Sequence, residues 1–240
     1  MHISMINIGV LTKMSSKTKL SNKLIPDHIP LDYAAKQKER LEKNWSKFPP
    51  PLRELLEKVK QCRKCPELVK SRETYLYSEP TFGYGNPDSP VVLIAQAPGW
   101  LGCGTTGFVF EPLSRTGKIY EAVLRAAGLS FEHVYTTNLV KCCPRGSDAP
   151  TKQQIRNCEV YCLREIKLIN PFSIIAVGKL PWDFVMRNKL YKDFQCHRVF
   201  HPGYILRKGF GIDRYISSFA ALLKSEYKKG ASKKGLRRWL

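Results

Sequence analysis

Cysteine is the residue type whose spacing points most directly to chemistry, and the chain has eight of them. Six form three close pairs: Cys62 and Cys65, Cys142 and Cys143, Cys158 and Cys162. Two thiolates at C-x2-C spacing can hold a metal centre from one turn, and two cysteines from elsewhere complete four ligands. This count fits both zinc and an iron–sulfur cluster. Residues 1–10 lack the pattern of a secretory signal, so we expect metal ligands rather than disulfides.

The charge balance indicates a polyanionic partner. Lys and Arg number 40 against 20 Asp and Glu, a formal net charge of +20. Such an excess favours a nucleic acid as partner, with an anionic membrane surface as the second candidate. The apolar runs, such as residues 90–95, are far shorter than the roughly 20 residues of a membrane helix. Hydrophobic residues make up 43% and charged residues 25%, which excludes a mostly disordered or collagen-like chain.

Short apolar runs alternate with helical patterns along the chain. The predicted strands are residues 90–96, 134–140, 172–177 and 198–200. The predicted helices are residues 52–61, 117–127, 151–169, 180–188 and 212–227, and part of residues 31–45 could form a short helix. This alternation predicts an α/β fold, a three-layer α/β/α sandwich around a central, mainly parallel four-stranded sheet.

Three polar motifs follow the predicted strands. They are QAPG at residues 96–99, NLVKC at residues 138–142 and HPG at residues 201–203. Ligands of parallel α/β sheets bind beyond the carboxyl ends of the strands, so we expect these motifs to meet at one site.

The ends of the chain differ in composition from its middle. Residues 1–48 are basic, contain Pro26 and Pro30 and end at a proline triplet, which predicts an N-terminal arm before a domain at residues 49–225. Residues 226–240 carry six basic residues against one acid and predict a flexible C-terminal tail. The tail could contact phosphates or be a solvated terminus, and the sequence leaves both interpretations open.

The ordered motifs resemble the iron–sulfur uracil-DNA glycosylases. The resemblance rests on CRKCP at residues 62–66, GYGNP at 83–87, APG at 97–99, TNLVKC at 137–142 and HPG at 201–203. It covers about residues 50–220 and is shared between the family 4 and family 5 enzymes. The chain departs from family 4 in its first motif, where Gln96 replaces an acidic residue, and in its third motif, where Gly203 replaces a serine.

The resemblance implies an activity and a cofactor. It implies a monofunctional DNA glycosylase that flips out deaminated bases and excises them, initiating base excision repair. Uracil is the first candidate base, with hypoxanthine or xanthine as further ones. It also implies a structural [4Fe-4S] cluster, a monomer acting on DNA that contains deaminated bases, and a cytoplasmic, nucleoid-associated location. The cluster ligands would be Cys62, Cys65, Cys142 and Cys158.

The resemblance also suggests roles at the base. His201 would donate a hydrogen bond to the departing base, and Asn138 would pair with the base edge. Phe110, or alternatively Phe108, would stack on the base, and Ala97 would line its pocket.

Other residues would serve the sugar and the duplex. Glu111, or a water held by Gln96, would act on the sugar side. The residues that follow the HPG motif would form a wedge that inserts into the duplex, and one lysine would also contact DNA. The wedge residues are Tyr204, Ile205, Leu206 and Arg207, and the lysine is Lys141. Two alternatives stay open: a catalytically inactive iron–sulfur or zinc protein that binds nucleic acid, and a zinc-containing RNA-binding module.

Overall fold

A five-stranded sheet organises the chain. The computed structural model describes residues 23–209 and 211–233. The strands are β1 (Tyr84–Gly85), β2 (Val91–Ala95), β3 (Tyr135–Asn138), β4 (Ser173–Val177) and β5 (Gln195–Val199), in the order β1-β3-β2-β4-β5. Strands β2 to β5 are parallel, and β1 pairs antiparallel with β3 at the edge. The expected four-stranded sheet is therefore wrong by one strand. The missed strand is β1, whose two residues are too few to show the alternation of apolar and polar residues that is typical of a strand.

The helices flank this sheet. They are α1 (Leu31–Trp45), α2 (Pro50–Lys60), α3 (Pro66–Arg72), α4 (Cys103–Thr106), α5 (Arg115–Ala126), α6 (Lys152–Ile169), α7 (Lys179–Arg187), α8 (Pro202–Lys208) and α9 (Ile212–Lys233). Every residue of β2 and β4 is buried. Since successive side chains of a strand point to opposite faces, protein covers both faces of the central strands. The expected α/β class is confirmed.

Helix α6 begins where its sequence predicts. The Thr151 side chain accepts a hydrogen bond from the Gln154 N–H, and the Gln154 side chain accepts one from the Thr151 N–H. This reciprocal capping box satisfies two N–H groups that the first turn leaves open. The cap therefore fixes the start of the helix that carries Cys158 and Cys162 on its buried side.

The described part of the expected N-terminal arm belongs to the folded body. Leu41 and Trp45 of α1 are buried, and the Trp45 Nε1–H donates to the Gly83 carbonyl at 2.8 Å. The Asn44 side chain forms hydrogen bonds with both the N–H and the carbonyl of Gly85. Residues 31–48 are thus not a separate arm, and residues 1–22 lie outside the described range.

The C-terminal tail was expected from residue 226, but the folded domain continues beyond that residue. Helix α9 continues to Lys233, with Ala231 buried and Glu226 in contact with His197 and Lys229. Residues 226–233 are therefore part of the domain, while residues 234–240 lie outside the described range. Among the described helices, none is both long enough and apolar enough to cross a membrane.

Candidate active site

The three polar motifs lie together at the carboxyl edge of the sheet. Ala95 at the end of β2 is in register with Asn138 at the end of β3, and the Val140 N–H donates to the Gln96 carbonyl at 3.0 Å. Gln96 and Ala97 are half-buried immediately after β2. A Cβ placed on Gly178, which follows β4, would lie 3.4 Å from the His201 Cβ. Strand register therefore places QAPG beside NLVKC, and the parallel sheet places HPG at the same edge, after β5.

His201 is the N-cap of α8, and its neighbours fix its tautomer. Its Nδ1 accepts a hydrogen bond from the Gly203 N–H at 3.0 Å. Burial, together with the nearby positive charge of Arg207, lowers the pKa of His201 to about 4. The ring is therefore neutral near pH 7. Because Nδ1 accepts, the ring proton is on Nε2, which is free to be a hydrogen-bond donor.

Asn138 offers an amide inside this site. Its side chain is 2% exposed, with Nδ2 lying 3.5 Å from the Thr81 hydroxyl oxygen and 3.9 Å from the Cys103 sulfur. Both contacts are long, so the amide can exchange them for stronger bonds to a ligand. The sequence does not predict the contact between Cys103 and Asn138, because it depends on the folding of α4.

The two phenylalanine candidates occupy different places. Phe110 stacks on Tyr120 at 4.5 Å between ring centroids and lies 5.9 Å from the His201 ring. Its φ of 54° is in the left-handed region, a strained conformation that is often found at functional sites. Phe108 is fully buried below Arg40 and packs against Tyr84. Phe108 is therefore a core residue, and the alternative that it stacks on a base is wrong.

Glu111 is a buried carboxylate that accepts three hydrogen bonds. It is 1% exposed, and its Oε1 accepts from the Tyr33 hydroxyl at 2.6 Å and from the Leu113 N–H at 3.1 Å. Its Oε2 accepts from the Thr106 hydroxyl at 2.7 Å. All three donors are neutral, so none cancels the negative charge. A carboxylate has about four acceptor positions, which leaves one for a water or a substrate.

Lys141 does not lie on a DNA-contacting surface. Its side chain is buried, and its Nζ contacts the Glu165 carboxylate and donates to the Thr137 hydroxyl at 2.6 Å. The expectation that Lys141 contacts DNA is wrong, because a buried ammonium paired with a carboxylate cannot reach a phosphate.

The residues of the expected wedge lie on a short helix. Residues 202–208 form α8, in which Tyr204 and Leu206 are half-buried and Arg207 is exposed. Ile205 is 3% exposed and faces the core, so its expected contact with DNA is wrong. Sequence reasoning missed Phe200, which is 53% exposed and stacks on Tyr204 with 5.3 Å between ring centroids.

Four cysteines line one pocket. These are the four that the resemblance implied: Cys62, Cys65, Cys142 and Cys158. They come from the turn after α2, the residue before α3, the segment after β3, and α6. Of the neighbouring cysteines, Cys162 is in the core and Cys143 lies beside Gly104.

Hydrogen-bond donors surround these sulfurs. The Asn157 amide lies 3.3 Å from the Cys65 sulfur, and the Lys141 N–H donates to the Cys158 sulfur at 3.3 Å. Burial raises the pKa of the Cys158 thiol to about 12, so a cationic group would be needed to hold its thiolate near pH 7. Within the described ranges, no set of three or more Cys, His, Asp or Glu is placed to hold a single metal ion. Four cysteines around one pocket supply the ligand count of either zinc or an iron–sulfur cluster.

Sequence comparisons with known proteins identify the family of the chain. A family sequence model, the Uracil DNA glycosylase superfamily, matches residues 82–224. The type-4 uracil-DNA glycosylase of Pyrobaculum aerophilum is 30% identical over 199 residues, which covers 69% of this chain and 97% of the relative. The type-4 enzyme of Archaeoglobus fulgidus is 26% identical, covering 70% of this chain and 89% of the relative. The type-5 enzyme of Pyrobaculum aerophilum is 24% identical, covering 56% and 69% respectively. The chain therefore belongs to the uracil DNA glycosylase superfamily, with distant homology to its type-4 and type-5 iron–sulfur families.

Proposed function

We propose that this chain is a monofunctional DNA N-glycosylase that excises deaminated bases from DNA. The observation that carries the proposal is the neutral His201, whose Nε2–H is available beside Phe110 at the sheet edge where β3 also ends with Asn138. A group that leaves as an anion is stabilised by a fixed neutral donor, which needs no proton transfer of its own.

The reaction breaks the bond between the sugar C1′ and the base nitrogen. The bonding electrons leave with the base, and the His201 Nε2–H stabilises the negative charge that develops on a base oxygen. The Asn138 amide pairs with the base edge, and Phe110 packs on its face. Water then bonds to C1′, and the proton that it loses neutralises the departed base anion.

The sugar becomes cationic as the bond breaks. Glu111 supplies a negative charge, and its three hydrogen-bond donors are neutral and do not cancel it. A carboxylate in a site without water stabilises a nearby cation more strongly than one in bulk water does. Its remaining acceptor position can hold the attacking water. Gln96, half-buried at the end of β2, can orient that water but brings no charge. We therefore assign the electrostatic role to Glu111.

We further propose that Cys62, Cys65, Cys142 and Cys158 hold a [4Fe-4S] cluster. The support is that these four cysteines line one pocket and that the chain is distantly homologous to the type-4 and type-5 iron–sulfur families. When bound, the cluster would cross-link the chain before α3, the segment after β3 and α6. The cysteines would thus brace the segment that follows Asn138, and no step of base excision needs electron transfer.

A cleavage panel tests the proposal. Duplex and single-stranded oligonucleotides carrying uracil, hypoxanthine, xanthine or a thymine mismatch are incubated with excess enzyme, and abasic sites are cut with alkali. We expect strand scission at one or more deaminated bases, and a large loss of it with His201→Ala. Tight DNA binding without any scission would instead support a binding protein that has lost catalysis, a reading that the uncharged Gln96 favours.

A further inference from the structure

Helix α1 lies outside the part of the chain that matches the superfamily, yet its first turn reaches the candidate active site. The Tyr33 hydroxyl donates to the Glu111 carboxylate at 2.6 Å. Just before the helix, His28 Nε2 lies 2.9 Å from the Leu101 carbonyl oxygen. Both contacts fall on the segment between β2 and α5, and α1 also packs against α4 within that segment.

We propose that Tyr33 is a positioning residue that orients the Glu111 carboxylate for base excision. The inference rests on the proposed function, in which Glu111 supplies the charge on the sugar side. The terminal torsion of a glutamate has no sharp preference, so hydrogen bonds decide where its two oxygens point. Tyr33 and the Leu113 N–H share Oε1, which leaves the unfilled acceptor position on Oε2 beside Thr106.

The chemistry of Tyr33 suits this role. Burial and the adjacent Glu111 carboxylate raise the pKa of Tyr33 above its ordinary value, so the hydroxyl keeps its proton and donates. A neutral donor fixes the carboxylate without cancelling its charge, whereas an arginine or lysine at this place would cancel it. A tyrosine supplied from α1 therefore keeps the field that the cationic sugar requires.

A double-mutant cycle tests the inference. Tyr33→Phe, Glu111→Gln and the double variant are compared with wild type by single-turnover excision, by affinity for a damaged duplex and by thermal midpoint. Tyr84→Phe is the matched control, because the Tyr84 hydroxyl also contacts α1, through Arg40, but has Glu132 as its carboxylate partner.

We expect Tyr33→Phe to slow excision by about ten- to a hundredfold, the effect of one lost hydrogen bond to a charged group. DNA affinity should change little. In the Glu111→Gln background the same change should cost less than about twofold, since the two residues act as one unit. Tyr84→Phe should keep the wild-type rate. If Tyr33→Phe folds poorly, Tyr33→His, which retains a ring N–H donor, should excise faster than Glu111→Gln.

Two results would overturn the inference while the proposed function stands. One is a wild-type rate for Tyr33→Phe, and the other is an equal loss of rate with and without Glu111→Gln, which would mark a purely structural contact. A wild-type protein that excises no base would overturn both the inference and the proposed function.

Discussion

The Lys141 ammonium contacts the Glu165 carboxylate inside the protein, where the two side chains are 2% and 1% exposed. Glu165 also accepts hydrogen bonds from the Tyr135 hydroxyl at 2.7 Å and from the Gly83 N–H at 3.1 Å. The pair thus joins β3 and the chain before β1 to helix α6. A buried pair with its hydrogen bonds filled is costly to break, because the remaining charge has no water to solvate it.

We expect Glu165→Gln to lower the free energy of unfolding by about 3–5 kcal/mol, since it leaves Lys141 charged and unpaired. Urea unfolding measures the loss. Glu159→Gln on the same helix is the control, because Glu159 pairs with the more exposed Arg187 and should cost about 1 kcal/mol or less. Equal effects of the two substitutions would show that burial of the Lys141 pair has no energetic consequence.

The four cysteines that line the pocket are expected to bind iron, and two neighbouring cysteines serve as controls. Cys142→Ala and Cys158→Ala should lose iron and acid-labile sulfide together, with a lower thermal midpoint, because both residues line the pocket. Cys143→Ala and Cys162→Ala should keep wild-type iron content. Metal analysis of the purified variants decides the point. Iron lost from Cys162→Ala but retained by Cys158→Ala would contradict the ligand assignment, and zinc in the wild type would contradict the cluster.

Local patterns predicted much of the fold. The central strands, the capped start of α6 and the strand-end motifs all depend on residues close in sequence. Contacts such as Tyr33–Glu111 and Lys141–Glu165 join residues that are 78 and 24 positions apart, and only the fold brings them together. A lysine within a polar motif at a strand end therefore looked available for DNA although it is buried.

Helix α8 could have been predicted from the sequence. Proline is favoured at the first position of a helix and glycine just after its end. Pro202 and Gly209 stand in those two places around α8, which is absent from the predicted helices. Helical spacing would also have placed Ile205 on the buried side.

The low pKa of His201 predicts a pH-dependent stability. Its folded pKa of about 4 lies below the ordinary 6.5, so between these values the unfolded chain binds a proton that the folded chain does not. Stability from the neutral ring is therefore complete above pH 6.5 and is lost as pH falls towards 4. Thermal midpoints should fall more steeply across this window for wild type than for His201→Gln. Parallel curves for the two proteins would contradict the assignment of a neutral His201.

The packing of Gly230 tests whether the end of α9 belongs to the domain. A Cβ at this position would lie 2.6 Å from the Pro90 Cβ and 2.7 Å from the Phe172 Cβ. Alanine is the better helix former by about 1 kcal/mol, but overpacking typically costs about 1–3 kcal/mol, so Gly230→Ala should destabilise. Ser218→Ala, at an exposed position of the same helix, should not. A stabilised Gly230→Ala would indicate that residues 226–233 are not held against the sheet.

The exposed Phe200 ring predicts where DNA is contacted. Phe200 follows β5 directly, stacks on Tyr204 and precedes His201, so a base stacked on it would lie beside the candidate active site. The Tyr215 hydroxyl donates to the Phe200 carbonyl at 2.6 Å and steadies the backbone there. Stacking of one base on an aromatic side chain contributes about 1–3 kcal/mol. Phe200→Ala should therefore weaken binding of a damaged duplex by roughly ten- to a hundredfold in a fluorescence anisotropy titration.

Two comparisons distinguish stacking from a general loss of the surface. Tyr191→Ala removes an aromatic ring of similar exposure that precedes β5, at the opposite end of that strand, and should leave affinity unchanged. Arg207→Gln should instead reduce the slope of log affinity against log salt by about one, because we propose that the exposed Arg207 contacts one phosphate. Phe200→Ala should shift affinity at every salt concentration without changing that slope, since a neutral ring releases no counterions. Equal affinities for Phe200→Ala and wild type would rule out Phe200 as a base-stacking residue.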